Sequence, residues 1–359
     1  MTPPTTIRLY GTAPDSIVDG PGLRYAVFVQ GCSHACPGCH NPDSQPCAGG
    51  TVRAIEDVAA DIAANKLVQG VTISGGEPFL RDDLPDIVEH AKRACGIGSV
   101  TVLSNGTRMT EEALERLAPN VDCVSVSFDG CSAAAPAYIR SEQRFDELVE
   151  AVRMVQRAGI PAHIIPTVHA KNVDDLASYV QLSRDLGASL NFSLLTCEPN
   201  DEVLGGLLPG ESELRMLGRA LLTLDNGKPL PAMDAPVGVN LTVKRNCGAG
   251  CKSLSVDADG TVYPCHMLHR PELAMGNAFA GSVLDALQTD VSRMFQALDA
   301  ARFEDCGTCR YLRICGGGCR ARSLFESGTL EAKDSYCLMT QEFYDVLGKA
   351  MSESLKQRR

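Results

Sequence analysis

The sequence predicts an α/β protein, in which a partial, open (β/α)6 barrel is followed by a small, cysteine-rich α+β domain. In the first 225 residues, short apolar runs alternate with amphipathic patterns six times, which is typical of parallel strands joined by helices. The strand candidates are almost continuously apolar, as expected of a sheet that is covered on both faces. Eight of the 16 cysteines fall between Cys247 and Cys337, in a segment rich in glycine, and this change of composition predicts the second domain.

The predicted elements follow one another along the chain. Strands are predicted at residues 25–29, 71–74, 99–103, 121–127, 163–168 and 190–195. Helices are predicted at residues 53–64, 84–95, 111–117, 145–158, 173–186 and 211–224. A flat, doubly wound sheet is the alternative to the barrel. In both folds, functional residues belong in the loops at the carboxyl ends of the strands.

The remaining segments complete the domain organisation. Residues 1–22 are predicted to be extended and rich in turns, within a barrel domain that occupies residues 1–225. We predict a proline-containing linker at 226–246, the cysteine-rich domain at 247–340 and a C-terminal segment at 341–359, with a helix from about 340 to 356. The cysteine-rich domain is predicted to contain a hairpin at 254–263, which turns at Asp259-Gly260, and a helix at 283–298.

Composition limits the classes of function. The formal net charge of −11 argues against a nucleic-acid partner, because phosphate binding requires a basic surface. No apolar stretch is long enough to span a membrane, and the polar start at residues 1–4 is unlike a signal peptide. We therefore expect a cytoplasmic protein without membrane contact. In that compartment, cysteines are expected to bind metals or clusters rather than to form disulfides.

Three cysteines share one short loop directly after the first predicted strand. Cys32, Cys36 and Cys39 have the spacing C-x3-C-x2-C. Three thiolates on one loop are able to hold three irons of an iron–sulfur cluster. The fourth iron then has no protein ligand, which opens a position for a substrate or cofactor. A structural zinc site is the alternative, although zinc usually takes four protein ligands.

Glycine-rich and polar motifs end the next strands. The second strand ends in Gly75-Gly76-Glu77-Pro78, where glycines permit close approach to a ligand and a carboxylate accepts hydrogen bonds from an ammonium group. The third strand ends in Ser104-Asn105, the fourth carries Ser125 and Ser127, and Arg140 follows. Taken singly, these motifs have simpler interpretations, such as a glycine turn or an exposed arginine. Their position at the same end of successive strands favours one binding site.

Together these residues resemble the radical S-adenosylmethionine (SAM) superfamily. The resemblance implies that Cys32, Cys36 and Cys39 hold a [4Fe–4S] cluster whose open iron chelates the methionine end of SAM. It implies that the Gly-Gly-Glu-Pro motif binds the SAM amino group and that Arg140 pairs with the carboxylate, a charge-assisted contact. The other residues implied in the SAM site are Ser104, Asn105, Ser125, Ser127 and His40.

The cysteines of the second half closely resemble a SPASM domain, a C-terminal extension of radical SAM enzymes. The resemblance implies two auxiliary [4Fe–4S] clusters and thus three clusters in all, since eight cysteines provide four ligands to each auxiliary cluster. The inner set of ligands would be Cys247, Cys251, Cys265 and Cys319. The outer set would be Cys306, Cys309, Cys315 and Cys337. Two alternatives stay open: Cys251 is unliganded, which leaves a position for substrate at the inner cluster, or the segment is a double zinc ribbon.

A second resemblance lies near the N-terminus. Residues 17–24 and 36–42 are similar to the activating enzymes of glycyl radical enzymes, especially that of anaerobic ribonucleotide reductase. Those enzymes are mostly short chains without a SPASM domain, and abstraction of a hydrogen atom from glycine requires no auxiliary cluster. The SPASM resemblance is therefore the better guide to function.

Two further residues are candidates for direct roles in catalysis. His266 follows Cys265, and a histidine beside the inner cluster is suited to accept a proton while a substrate radical is oxidised. Cys197 follows the sixth predicted strand, where a thiol is suited to return a hydrogen atom to a substrate radical and so to cause epimerisation. The simpler interpretations are a hydrogen-bonded turn histidine and a buried structural cysteine.

The sequence thus predicts an enzyme that cleaves SAM reductively to a 5′-deoxyadenosyl radical, abstracts a hydrogen atom and oxidatively modifies a peptide or protein side chain. A flavodoxin- or ferredoxin-type protein is the expected electron donor. We expect the segment before the cluster loop to be too short for an N-terminal peptide-recognition domain. Oxidation or epimerisation of a small alcohol, such as an aminosugar or aminocyclitol, is therefore an alternative. A glycyl radical activase and a zinc- or cluster-bearing binding module are the others.

Overall fold

The structure is a computed structural model that describes residues 6–16, 24–32, 42–64, 70–94, 96–140, 144–197, 199–223, 243–257, 261–278, 280 and 283–357. The chain forms two compact units. The first comprises Met1–Ile164, Leu186–Ser189 and Gly248–Gln296. The second comprises Ile165–Asp185, Leu190–Cys247 and Ala297–Arg359.

Strands and helices alternate through most of the chain. The strands are β1 (Thr6–Ser16), β2 (Arg24–Val29), β3 (Thr51–Ala54), β4 (Gly70–Gly75), β5 (Val100–Ser104), β6 (Cys123–Phe128), β7 (Ala162–Val168), β8 (Ser189–Leu190), β9 (Ser193–Leu194), β10 (Ser255–Asp257) and β11 (Val262–Tyr263). The helices are α1 (Ile55–Ala64), α2 (Leu84–Glu89), α3 (Glu111–Leu117), α4 (Phe145–Arg157), α5 (Leu176–Leu186), α6 (Glu211–Thr223), α7 (Val283–Ala286), α8 (Asp290–Ala297), α9 (Leu312–Cys315), α10 (Arg320–Ser327) and α11 (Cys337–Gln357).

The first unit is built on a parallel sheet whose strands keep their chain order, β2-β4-β5-β6. One row of aligned residues crosses these four strands, namely Val27, Ile73, Val102 and Val124, and each is at most 2% exposed. The other edge of β2 pairs with the antiparallel strand β1, so the parallel strands do not close into a ring. A doubly wound sheet would reverse its strand order at a switch point. The observed order confirms the predicted open partial barrel.

Amphipathic helices cover this sheet. In α4, the buried residues are Leu148, Ala151, Val152 and Val155, whose spacing places them on one face of the helix. The helix α3 begins after Thr110, whose hydroxyl accepts a hydrogen bond from the Ala113 N–H group and caps the helix. Such caps and apolar faces explain why the predicted helix positions agree with the structure over most of the first unit.

The N-terminal and C-terminal parts of the chain meet in one sheet within the first unit. The strand β1 pairs with β2, β3 and β10, and the hairpin of β10 and β11 follows β1 at the sheet edge. The hairpin was predicted, although its proposed turn at Asp259-Gly260 lies outside the described residues. The long strand β1 and the short strand β3 were not predicted.

Three elements differ from their predicted extents. The single helix predicted at 283–298 is two helices, α7 and α8. Thr289 caps the start of α8, because its side-chain oxygen accepts a hydrogen bond from the Ser292 N–H group at 3.2 Å. The sixth predicted strand is the two short strands β8 and β9. The C-terminal helix begins at Cys337. Most of the predicted linker lies outside the described residues.

The second unit contains α6 and α11, which pack closely. Gly218 permits this approach, because a Cβ atom there would lie 2.4 Å from the carbonyl oxygen of Met339. None of the cysteines among the described ranges forms a disulfide. In the same described part of the chain, no helix is long and apolar enough to cross a membrane.

Candidate functional site

The cysteine loop is closed at its base by hydrogen bonds. The Cys32 N–H group donates to the carbonyl oxygen of Gln45, and the Gly31 N–H group donates to that of Ser44, at 2.8 and 2.7 Å. The buried side chain of Gln30 donates through Nε2 to the carbonyl oxygen of Pro46 at 2.7 Å. Cys32 is thereby held at the end of β2. The other predicted residues of this loop, Cys36, Cys39 and His40, lie outside the described residues.

The glycine-rich turn after β4 packs on the backbone that leads into this loop. Gly75 has a φ of +104°, and a Cβ atom at Gly76 would lie 2.0 Å from the carbonyl oxygen of Gly31. The Glu77 N–H group donates to that same oxygen at 3.0 Å. Pro78 is buried and starts the short helical turn that follows. The glycines are thus required by contact between two segments of the chain itself.

Glu77 joins the ends of β4 and β5. Its side chain is 1% exposed, and its oxygens accept hydrogen bonds from the hydroxyl of Ser104 at 2.7 Å and from the N–H groups of Asn105 and Phe79 at 2.8 and 3.1 Å. Burial raises the pKa of the Glu77 carboxyl, although these donors oppose the shift. The structure therefore brings three of the predicted site residues into one hydrogen-bonded group.

A histidine that the sequence analysis did not select lies beside Ser125. The Ser125 hydroxyl and His163 Nδ1 are 2.9 Å apart, on strands β6 and β7. Burial lowers the pKa of His163 to about 4, so the ring is neutral at pH 7. In the sequence, the one feature that distinguishes His163 is that it is a polar residue at the start of a predicted apolar strand. Ser127, two positions beyond Ser125, is partly exposed.

Arg140 is held in place by a buried carboxylate. One oxygen of Asp129 accepts hydrogen bonds from the N–H groups of Ile139 and Arg140, both at 2.7 Å. The Nη1 atom of Arg140 is buried and has no hydrogen-bond partner among the residues that the structure describes. Asp129, which directly follows β6, was also missed by the sequence analysis, because its partners lie ten and eleven residues away.

The outer set of cysteines lines one cavity in the second unit. This cavity is bordered by Cys306, Cys309, Cys315 and Cys337, together with residues such as Asp305, Gly317 and Lys333. Burial raises the pKa of the Cys315 thiol to about 11 and that of Cys337 to about 12. Within the described ranges, no three histidine, cysteine or carboxylate side chains converge on a single metal-ion position. Four thiols around one space are a donor set that suits a [4Fe–4S] cluster.

The inner set is divided between the two units. In the first unit, the Gly250 N–H group donates to the carbonyl oxygen of Pro264 at 2.9 Å, which brings the turn before Cys251 beside the segment of Cys265. In the second unit, burial raises the pKa of the Cys319 thiol to about 11, and Cys247 is close enough to add to the shift. The predicted grouping of these four cysteines stays a prediction.

The two catalytic candidates occupy different units. His266 lies in a turn after β11 and is partly buried. Cys197 follows β9, where the Tyr336 hydroxyl donates to the carbonyl oxygen of Leu195 at 2.6 Å. Burial raises the pKa of Tyr336 above its usual range, and Cys197 is near enough to contribute. Tyr336 directly precedes Cys337, so it links the outer cysteine set to the backbone two residues before Cys197.

These sites and the fold define the class of protein. The family model of the radical SAM superfamily matches residues 26–182. The model of an iron–sulfur cluster-binding domain, SPASM, matches residues 247–310. The chain belongs to the radical SAM superfamily, carries a C-terminal SPASM domain and is an enzyme, as the motifs predicted.

Its relatives include enzymes with several named activities. Mycofactocin maturase MftC of Mycolicibacterium smegmatis is 31% identical over 284 residues, which are 75% of this chain and 70% of that protein. The PqqA peptide cyclase of Ruegeria pomeroyi is 27% identical and covers 94% of this chain and 92% of its own. The AdoMet-dependent heme synthase of Methanosarcina barkeri is 26% identical over 90% of this chain and 98% of its own.

Solved structures show the same fold. Streptococcus suis SuiB bound to precursor peptide SuiA matches with a TM-score of 0.66 and 17% sequence identity, over 86% of this chain and 74% of that chain.

Proposed function

We propose that this enzyme oxidises a side chain of a peptide substrate by two electrons, with one SAM-binding and two auxiliary [4Fe–4S] clusters. The observation that carries the proposal is the cavity lined by the four cysteines of the outer set. Abstraction of a hydrogen atom by a SAM-derived radical needs only the first cluster. A further cluster adds an acceptor for the electron that remains on the substrate, which turns abstraction into net oxidation.

The residues at the strand ends fit SAM in their chemistry. The buried Nη1 atom of Arg140 has no partner among the described residues, and the SAM carboxylate is an anion that suits it. A carboxylate has about four acceptor positions, and three of those on Glu77 are filled by donors of this chain. One position is left for an ammonium group. Arg140 and Glu77 are therefore the proposed ligands of the two charged groups of the methionine end.

When bound, the reduced cluster and SAM supply a 5′-deoxyadenosyl radical that removes a hydrogen atom from an unactivated carbon of the substrate. The contribution of this chain is to orient and shield the reactants. Glu77 aligns the turns after β4 and β5 with each other. The neutral ring of His163 fixes the Ser125 hydroxyl, which we assign to the ribose. Cys32, Cys36 and Cys39 are the proposed cluster ligands, with His40 in the same loop.

We also propose roles for the residues at the two auxiliary clusters. Cys247, Cys251, Cys265 and Cys319 are assigned to the inner cluster, and Cys306, Cys309, Cys315 and Cys337 to the outer one. His266 is the proposed acceptor of the proton that the substrate loses with its second electron. A flavodoxin- or ferredoxin-type protein is the proposed electron donor.

The names of three relatives support a peptide as the substrate. One is named a maturase, one a peptide cyclase, and one was solved with a precursor peptide bound. A small-molecule substrate is the second candidate, because the Methanosarcina barkeri relative, which is named a heme synthase, matches over 98% of its own length.

The test uses anaerobically reconstituted enzyme with dithionite, SAM and a synthetic peptide; we expect the substrate peptide to be encoded by a small open reading frame beside this gene. We expect roughly twelve irons per chain, from three four-iron clusters. We also expect equal amounts of 5′-deoxyadenosine and of a peptide that is two mass units lighter. Cys32→Ala should abolish both products. Cys309→Ala should keep 5′-deoxyadenosine and lose the lighter peptide.

The same experiment separates the alternatives. A peptide whose mass is unchanged in ordinary water and which gains one deuterium in heavy water would indicate epimerisation. Loss of that incorporation in Cys197→Ala would assign the hydrogen donor to Cys197. A peptide that does not change while 5′-deoxyadenosine forms would favour a small-molecule substrate. A colourless protein that contains zinc and releases no 5′-deoxyadenosine would refute the proposal.

A further inference from the structure

Arg320, at the start of α10, is a cation buried among neutral groups. Its side chain is 1% exposed. Nη1 donates to the carbonyl oxygens of Leu330 and Ala332 at 2.5 and 2.8 Å, and Nη2 donates to that of Gly317. The guanidinium carbon lies 4.8 Å from the ring centroid of Phe303. These partners satisfy its hydrogen bonds and leave its charge unbalanced.

The neighbouring arginine on the same helix shows the contrast. Arg322 pairs with Asp334 through two contacts, from Nε to Oδ1 at 2.7 Å and from Nη2 to Oδ2 at 2.8 Å. Both side chains are 2% exposed. Arg320 has no carboxylate partner in the ranges that the structure describes. Because an uncompensated buried charge is strongly unfavourable, the counter-charge of Arg320 must come from another group.

The outer cysteine set lies beside Arg320. Gly317, which accepts a hydrogen bond from Arg320, lines the cavity of this set. The Cys306 N–H group donates to the carbonyl oxygen of Phe303, on whose ring Arg320 stacks, at 3.1 Å. Arg320 is therefore close enough to act on this set electrostatically.

The other charges at the cavity do not replace this one. Asp305 and Lys333 are exposed and of opposite sign, so water screens them. Asp334 is neutralised by Arg322. Cys319, which belongs to the inner set, donates its N–H group to Asp334 at 2.7 Å and thus lies beside a pair without net charge. Of the two arginines that are buried in the described part of the chain, Arg320 is the one without a carboxylate, and it lies beside the outer set.

We propose that the counter-anion of Arg320 is the cluster held by Cys306, Cys309, Cys315 and Cys337, and that Arg320 raises its reduction potential. Four thiolates around a [4Fe–4S] core carry a net negative charge, which grows by one when the core accepts one electron. No bond or proton changes in this step. A fixed cation stabilises the more negative state more strongly. Arg320 therefore makes the outer cluster a better electron acceptor than the same cluster without this charge. This inference rests on the proposed function, since it requires a cluster at the outer set.

The test is a potentiometric titration followed by electron paramagnetic resonance. The background is the full chain with Cys32→Ala, Cys36→Ala and Cys39→Ala, which leaves the two auxiliary clusters. The signal of the outer cluster is the one that disappears on adding Cys309→Ala. With dithionite as reductant, Arg320→Gln should lower the ratio of reduced to oxidised outer cluster at least tenfold at a fixed potential. This corresponds to a shift of about 59 mV for a one-electron couple.

Two further variants separate charge from structure. Arg320→Lys keeps the charge but lacks the planar fork, and it should stay within about threefold of the background ratio. Arg310→Gln removes a 71% exposed arginine that pairs with Asp345 near the same cysteines, and it should also stay within that range. Equal shifts in the two Arg320 variants, or no shift in Arg320→Gln, would overturn the inference.

Iron analysis covers the case in which a variant does not load its cluster. If Arg320→Lys loads the outer cluster and Arg320→Gln does not, the requirement for charge is confirmed. If neither loads it although the background does, Arg320 acts through its hydrogen bonds and the inference is wrong. If the background itself holds no outer cluster, it is the proposed function that fails.

Discussion

Removing the charge of Asp334 should destabilise the second unit more than any ordinary surface substitution. In Asp334→Asn, Arg322 stays buried without its counter-ion. Asp334 Oδ1 accepts from Arg322 Nε and from the Tyr336 N–H group, and Oδ2 accepts from Arg322 Nη2 and from the Cys319 N–H group. Asparagine keeps one of these two oxygens and replaces the other with an NH2 group, so one contact of Arg322 and one backbone N–H group lose their acceptor. Loss of one partner from a buried pair costs about 3–5 kcal/mol, a large share of the roughly 5–15 kcal/mol that stabilises a typical domain.

The assay is urea unfolding of the full chain, followed by circular dichroism, for the wild type, Asp334→Asn, Arg322→Met and the double variant. The double variant has no stranded charge, so it should be more stable than Asp334→Asn by at least about 1 kcal/mol. Burial alone raises the pKa of Asp334, but the charge and hydrogen bonds of Arg322 outweigh it and lower the pKa below the usual value. The free energy of unfolding by which the wild type exceeds Asp334→Asn is therefore fully present above about pH 4 and decreases as the pH falls further. Additive losses in the double variant, or a loss below about 1 kcal/mol in Asp334→Asn, would refute this reasoning.

Three other predictions concern the first unit. Arg140→Met should weaken SAM binding by about 10- to 100-fold, the loss of one charge-assisted contact, in anaerobic calorimetry; unchanged affinity would remove Arg140 from the site. His163 has a lowered pKa in the folded state, so its contribution to stability is present above about pH 6.5 and is lost as the pH falls towards 4. Between pH 7 and pH 5 the wild type should lose about 2 kcal/mol that His163→Gln does not lose, as measured by urea unfolding at each pH. Gly76→Ala should displace Gly31 and prevent the first cluster from binding, which removes about a third of the total iron. The control Gly206→Ala, where an added Cβ meets nothing within 4 Å and φ is not positive, should keep its iron.

Much of the fold was predictable because its signals are local. The apolar runs at β2, β4, β5 and β6 predicted a parallel sheet, and the SAM and SPASM motifs are short, contiguous patterns. The break between α7 and α8 was missed, although Thr289 followed by Asp290 is a recognisable helix start. The split of the sixth strand into β8 and β9 had no comparable local signal.

The interior of the site was less predictable, because it depends on partners that are distant in sequence. His163 and Ser125 are 38 residues apart, and only the adjacent strands bring their side chains together. Glu77 was predicted as a ligand for an ammonium group. The structure adds that its carboxylate, at the end of β4, accepts hydrogen bonds from Ser104 and Asn105 at the end of β5, which are 27 and 28 residues further along the chain. A polar residue in an apolar strand indicates that its side chain has a hydrogen-bond partner, but the sequence does not identify that partner.

By itself, the sequence determined the class of enzyme, because cluster loops and glycine-rich turns are read directly from the spacing of cysteines and glycines. Only the tertiary structure decided how charge is distributed around the cysteines. Arg320 and Arg322 are two positions apart on one helix and have the same chemistry. The return of the chain through residues 330–336 places a carboxylate on Arg322 and only carbonyl oxygens on Arg320. Which arginine keeps an unbalanced charge therefore depends on three-dimensional packing and not on residue type.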